Sequence, residues 1–323
     1  MQTLNSNLTT PVNHPNNLRG FVNKDILKKL NQVNTIRGIF SIASEWALII
    51  FVAFLCERYF NWPAYVLSVV FIGARLLALG LIMHESVHNL ISKNKTLNDF
   101  VAEVFCAWPL FISMRSYRVK HLAHHKWLNT ENDPDYVAKT DNNWRFPMHV
   151  SKFIKLILIQ LSGIGIFETF KVMSSKQIKK ARTPIWYQLS RILFYIFIIT
   201  SFIYFDKGML LVKYWIVPFA TWTQVANRFR RIAEHSGIEG RQLAMQTRTT
   251  KHSYLTRLLL VPKNISYHCE HHLYPGIPCY NLPKVHNELL KHEVVKESFY
   301  VSNTYIDVFK DCIISAQHNS KSN

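Results

Sequence analysis

Long apolar runs alternate with polar, basic segments along this chain. Four runs approach the roughly 20 residues a helix needs to cross a bilayer about 30 Å thick. They cover 39–60 (IFSIASEWALIIFVAFLCERYF), 62–83 (WPAYVLSVVFIGARLLALGLIM), 184–205 and 208–226. Glu45, Arg75, Arg191 and Lys213 interrupt them, although long charged side chains near a helix end can reach the interface. The competing reading of such runs is buried helices of a large soluble protein. Almost nothing joins the first two runs, and Phe205–Gly208 joins the last two, so the pattern predicts two helical hairpins. Two shorter apolar stretches, about 97–114 and 153–170, carry charges and predict helices lying in the interface or dipping into it. The expected fold class is all-α and integral to a membrane: four transmembrane helices in two hairpins, with a helical cap on one side.

The organisation follows from the same pattern. Residues 1–38 are polar and hold no apolar core, which predicts a leader, disordered or surface-lying to about Asn23, and no cleavable signal peptide. A membrane domain over 39–295 and a C-terminal tail over 296–323 complete the reading.

Charge changes the picture by assigning a side. The net charge is +18, yet no zinc-finger, homeodomain or aromatic RNA-binding motif accompanies it, so nucleic acid is not the expected partner. Two hairpins put the N-terminus, residues 84–190 and everything after 227 on one side. Of 38 Lys and Arg residues, 33 fall there. Positive charge collects on the cytoplasmic side of membrane proteins, so the large basic side is expected to be cytoplasmic. The five cysteines (Cys56, Cys106, Cys269, Cys279 and Cys312) form no CxxC pair and imply no disulfide framework. Cys269 is a possible thiolate ligand because it sits inside a histidine cluster.

Histidine carries the candidate chemistry. Nine of the fifteen histidines fall in four places. His84 and His88 lie in HESVH, and His121, His124 and His125 in HLAHH. His235 closes RFRRIAEH, and His268, His271 and His272 lie in YHCEHHLYPGIP. Spacings of i, i+3 and i+4 put imidazoles on one side of a helix. A lone HxxxH is often a surface feature, and His235 can simply face a helix C-terminal dipole. Two HxxHH sets plus HxxxH, all expected on one side of a membrane, argue for metal. Nine ligands exceed the four or so of one zinc site and suit two ions. The other six histidines, His14, His149, His252, His286, His292 and His318, are expected at the surface.

With HESVH, HLAHH and its continuation KWLNTENDPD, and YHCEHHLYPGIPCYNLP in this order, the chain resembles the membrane fatty acid desaturase superfamily, in a bacterial-type branch. The resemblance covers roughly 40–290. It implies two Fe ions held by His84, His88, His121, His124, His125, His235, His268, His271 and His272. It also implies a lipid or fatty acyl substrate, molecular oxygen, and a bacterial inner membrane rather than endoplasmic reticulum. Some relatives place an asparagine four residues before the lone histidine to hold a water. Here that position is Arg231, and Asn264, four before His268, is the candidate substitute, with helix capping as its plainer role. Glu85, Glu270, Asp133 and Asp135 can orient ligand imidazoles, though Asn-Asp-Pro-Asp is also strong turn chemistry.

An alkyl C–H bond has no useful acidity, so a redox metal must open it. The expected activity is oxygen-dependent desaturation of an alkyl chain; the same ligand set serves lipid or carotenoid hydroxylases and ketolases, which remain alternatives. HPNN at 14–17 does not match the HPGG haem motif of fused cytochrome domains, so a separate ferredoxin or cytochrome-type donor is expected. HESVH also satisfies HExxH, which makes a membrane zinc protease with Glu85 as general base the remote rival.

Overall fold

A computed structural model describes residues 18–135, 141–173, 183–238 and 246–314. Helices α1 (Thr35–Arg58) and α2 (Trp62–Val87) pack against each other across a three-residue turn. The asparagine side chains at 34 and 61 start them by accepting from the amides of Arg37 (2.9 Å) and Ala64 (2.8 Å). Pro63 sits in the first turn of α2, where its missing N–H costs nothing. The second helix outruns its apolar stretch: it continues through His84 and Glu85 to Val87, with His88 as its cap, so the candidate pair HESVH closes a bilayer-length helix.

Helix α4 (Ile185–Tyr204) buries only Tyr187 and leaves Ile192, Leu193 and Phe197 more than half exposed. Together, α1, α2 and α4 are long and apolar enough to cross a membrane. Their outward faces match lipid, whereas in water they would form an apolar patch far above what a monomer tolerates.

The fourth apolar run is helical but not one straight helix. Gly208–Leu211 leads into a wide turn at Val212–Ile216, then Val217–Ala220, then a break at Thr221 (φ −109°, ψ −89°). Pro218 lacks the amide an unbroken helix needs there. The free carbonyl of Pro218 is taken by the Thr223 hydroxyl at 3.1 Å, which also donates to the Gly73 carbonyl at 2.9 Å. Helix α5 (Trp222–His235) starts at that break and packs on α2. The approach requires Gly73: a Cβ there would lie 2.7 Å from Trp222 Cβ.

The stretch at 97–114 is a bent element: Lys95–Leu110 and α3 (Met114–Trp127) meet at 94°. The buried Glu103 carboxylate accepts from the amides of Met114 and Arg115, both at 3.2 Å, and so anchors the start of α3. Strands are minor. Arg248–Thr250 pairs in parallel with Tyr300–Ser302, and Met148–His149 with Ile313–Ile314.

Residues 18–30 are folded rather than loose. Leu18, Val22 and Leu30 pack with Leu273, Ile277 and Leu282, because three apolar side chains in this polar stretch find an apolar face. Arg19 Nε donates to the Leu273 carbonyl at 3.1 Å.

Three of the four charges inside the apolar runs, Glu45, Arg75 and Lys213, are paired rather than snorkelling, Lys213 with Glu57. Arg75, mid-helix in α2, meets Glu45 of α1 at 3.2 Å and the Leu258 carbonyl, and Lys263 meets the other Glu45 oxygen at 2.7 Å. Removing one partner leaves a buried charge alone. Glu45→Ala is therefore expected to cost about 3–5 kcal/mol, read as a lower thermal midpoint in detergent; an unchanged midpoint would refute this pairing.

Candidate metal centre

The nine histidines converge as two groups. His84, His88, His121, His125 and His271 each place a ring nitrogen within 4.8 Å of the others, and His124, His235, His268 and His272 do the same. Helix geometry explains the partition. On α3, His121 and His125 are i, i+4 and join the first group, while His124 is rotated about 100° from His125 and joins the second. On α6 (His268–Leu273) the roles exchange: His268 and His272 enter the second group, and His271 the first. Each HxxHH motif thus straddles both groups, α2 feeds one and α5 the other.

The nitrogens face one another closely. His121 Nε2 lies 3.0 Å from His88 Nε2 and 2.9 Å from His125 Nε2, which lies 3.0 Å from His271 Nε2. In the second group, His268 Nε2 lies 2.9 Å from His235 Nε2 and 3.1 Å from His272 Nε2. Ligands about 2.1 Å from a shared ion and at right angles stand roughly 3.0 Å apart, whereas a tetrahedral arrangement needs roughly 3.4 Å. These spacings suit an ion of higher coordination number than structural zinc.

Burial supports ligation. Both ring nitrogens of His84 are buried without a hydrogen-bond partner, and so are Nδ1 of His268, His271 and His272. An imidazole with both nitrogens buried and unpartnered, as in His84, is costly unless something binds one of them. Burial also pushes His88 down to about 4 from 6.5. Burial, then neighbouring imidazoles, hold His268, His271 and His272 well below 6.5. All four are neutral at physiological pH, with lone pairs available.

The acidic candidates divide. Asp133 accepts from His124 Nδ1 at 2.9 and 3.0 Å, and also from the amides of Asn129 and Asp135, so it orients a ligand and builds the turn at once. Asp135 pairs with Lys120 at 2.7 Å and stays 3.9 Å from His124. Glu85 accepts from the Cys279 amide at 2.7 Å and holds no imidazole; its nearest ring nitrogen, on His84, is 4.0 Å away. Glu270 accepts from His286 Nδ1 and from the Thr249 hydroxyl, both at 2.6 Å, so it anchors the backbone of α6 rather than a ligand. Asn264, with φ +55°, donates to the Cys279 carbonyl at 3.4 Å. Arg231 lies over the Trp144 ring at 4.1 Å.

Three features lay outside the sequence reading. His286, expected at the surface, is buried; its face-mates Leu282, Val285 and Leu289 were the available signal. Glu234, bonded to Arg230 at 2.6 Å, brings an oxygen to 3.6 Å from His268 Nδ1. The Tyr117 ring stacks on His121 at 5.6 Å. Cys269 turns away from the metal groups and donates to the Thr247 carbonyl at 3.1 Å. His14 and His318 lie outside the described residues.

The family model described as fatty acid desaturase matches residues 60–303, spanning all nine clustered histidines. The chain belongs to the fatty acid desaturase family. It is similar to a dihydrorhizobitoxine desaturase of Bradyrhizobium elkanii, 30% identical over 81% of this chain and 78% of the relative. An sn-1 oleoyl-lipid 12-desaturase of Anabaena variabilis is 25% identical over 68% of the chain and 67% of its own. A sphingolipid delta(4)-desaturase of Mus musculus is 25% identical over 81% and 78%. This fatty acid desaturase family member is an oxidoreductase, and its apolar helices make it a membrane protein.

Asp133→Ala is expected to weaken metal binding by roughly 10–100-fold through loss of His124 orientation, measured by chelator competition; unchanged retention contradicts the role. The depressed histidines also fix a pH dependence for metal-free protein. Unfolded imidazole takes up protons near 6.5 and folded His88 only near 4, so stability is lost as pH falls through that window. His88 alone contributes on the order of 3 kcal/mol. Denaturation midpoints from neutral pH down to about 4 check this, and a flat profile contradicts it.

Proposed function

We propose that the chain is an oxygen-dependent desaturase that inserts a double bond into the alkyl chain of a lipid, using two iron ions held by the nine histidines. The observation that carries this reading is the partition of those histidines into adjacent groups of five and four within a fatty acid desaturase. Bound iron supplies the redox chemistry that an unactivated C–H bond demands and that no side chain in the site provides. His84, His88, His121, His125 and His271 would hold one ion, and His124, His235, His268 and His272 the other. Asp133 fixes the His124 ring so that its other nitrogen faces the second group. The burial of seven of the nine histidines, with His88 and His125 partly open, excludes bulk water from most of the centre.

The basic segments around the site favour a cytoplasmic orientation in a bacterial inner membrane. Oxygen and an outside ferredoxin or cytochrome-type reductant complete the reaction. A protease mechanism fits poorly. HESVH enters a five-histidine group, and the Glu85 carboxylate is turned to the Cys279 amide instead of to a metal-bound water.

Cells expressing the wild-type chain aerobically with a reductant supply are expected to gain unsaturated lipid by mass spectrometry. His271→Ala is expected to lower that gain at least about a hundredfold, as loss of a ligand acting only with its partners does. An unaltered lipid profile with the wild type would sink the reading.

A further inference from the structure

A cavity of about 410 Å³ opens between α1, α2 and the segment leading to α6, and none of the nine histidines lines it. Its charged wall is Arg37 and Glu45 from α1, Arg75 and Glu85 from α2, and Arg257 and Lys263 from the following segment. The two ends differ. At one end, Glu45 is shared by Arg75 and Lys263, the Leu258 carbonyl takes Arg75, and the neighbouring Arg257 is exposed with no ion pair among the described residues. Three cations there answer to one carboxylate, and the buried Arg75 Nε has no hydrogen-bond partner. At the other end, Glu85 adjoins Cys279 and its buried Oε1 has no hydrogen-bond partner, while Arg37 lies over the Tyr280 ring at 3.9 Å. Ten residues of α2 separate Arg75 from Glu85, about 15 Å of helix.

The opening is apolar. Phe40 and Tyr254 border the cavity and are 69% and 77% exposed, beside the outward faces that suit lipid. A long space with a cationic end, a carboxylate near the metal end and a lipid-facing rim matches an amphiphile with an acidic head.

We propose that this cavity binds the anionic head of the substrate, a carboxylate or phosphate, at Arg75, Arg257 and Lys263. This rests on the desaturase reading above and narrows it to acidic amphiphiles. Arginine suits the task because its planar fork meets an oxyanion with two donors.

The test uses the full chain with its iron in phosphatidylcholine nanodiscs and a fatty acid carrying a photoreactive diazirine near its carboxylate. Peptides are mapped after illumination. The acid is expected to label residues 35–45 or 254–264, and its methyl ester is not. Arg257→Gln is expected to lower labelling about tenfold, the worth of one charge-assisted contact, and Arg257→Glu further. Arg257 is exposed and holds no ion pair among the described residues, so these variants spare the fold, and Lys28→Gln serves as the distant charge control. Competition by oleate assigns a carboxylate head, and competition by phosphatidylglycerol a phosphate head; either supports the proposal. Equal labelling by the ester, or labelling indifferent to Arg257, overturns it. Acid-dependent labelling without any lipid turnover keeps the head site and removes the activity; turnover without such labelling does the reverse.

Discussion

Nine histidines from four segments meet ring nitrogen to ring nitrogen in a largely buried space. That constraint governs the molecule. His121 Nε2 alone faces two other ring nitrogens at 2.9 and 3.0 Å, more partners than its single N–H or lone pair can serve. The ligands come from four separated segments, so the cost of assembling them falls on packing elsewhere: Gly73 lets α5 close on α2, Glu103 anchors α3, and Glu270 ties α6 to Thr249 and His286.

The membrane part and the metal part are one structure. The pair at His84 and His88 ends a helix whose other end is lipid-length apolar, and His235 ends a helix that begins at the break beside Gly73. A rigid helix carries position from the bilayer to the site with little loss, which suits chemistry that must address one place on a featureless alkyl chain. The buried triad of Glu45, Arg75 and Lys263 lies along the same helix, so polar structure continues from the metal groups into the region that faces lipid.

Much of the site was legible in the chain because it obeys helical periodicity. Spacings of three and four residues announced shared faces, and Asn-Asp-Pro-Asp announced the turn that delivers Asp133 to His124. Periodicity was silent on which histidines share an ion, since the 100° between His124 and His125 becomes meaningful only against a neighbouring helix. It was also silent on the acids: Glu85 and Glu270 sit beside ligands in sequence, yet their carboxylates point to Cys279 and His286. Hydropathy found the fourth apolar run but missed the interruption at Pro218 and Thr221, which a neighbour's hydroxyl and a glycine on another helix stabilise.

The amino-acid order by itself determined the bilayer-length helices, the residues able to bind metal and the family, because these depend on local pattern and composition. Tertiary structure alone decided the grouping of five and four, the partners of Glu85 and Glu270, and the burial of His286 and of residues 18–30. The grouping and the Glu85 contact depend on segments more than a hundred residues apart, whose relative rotation no single stretch of sequence encodes.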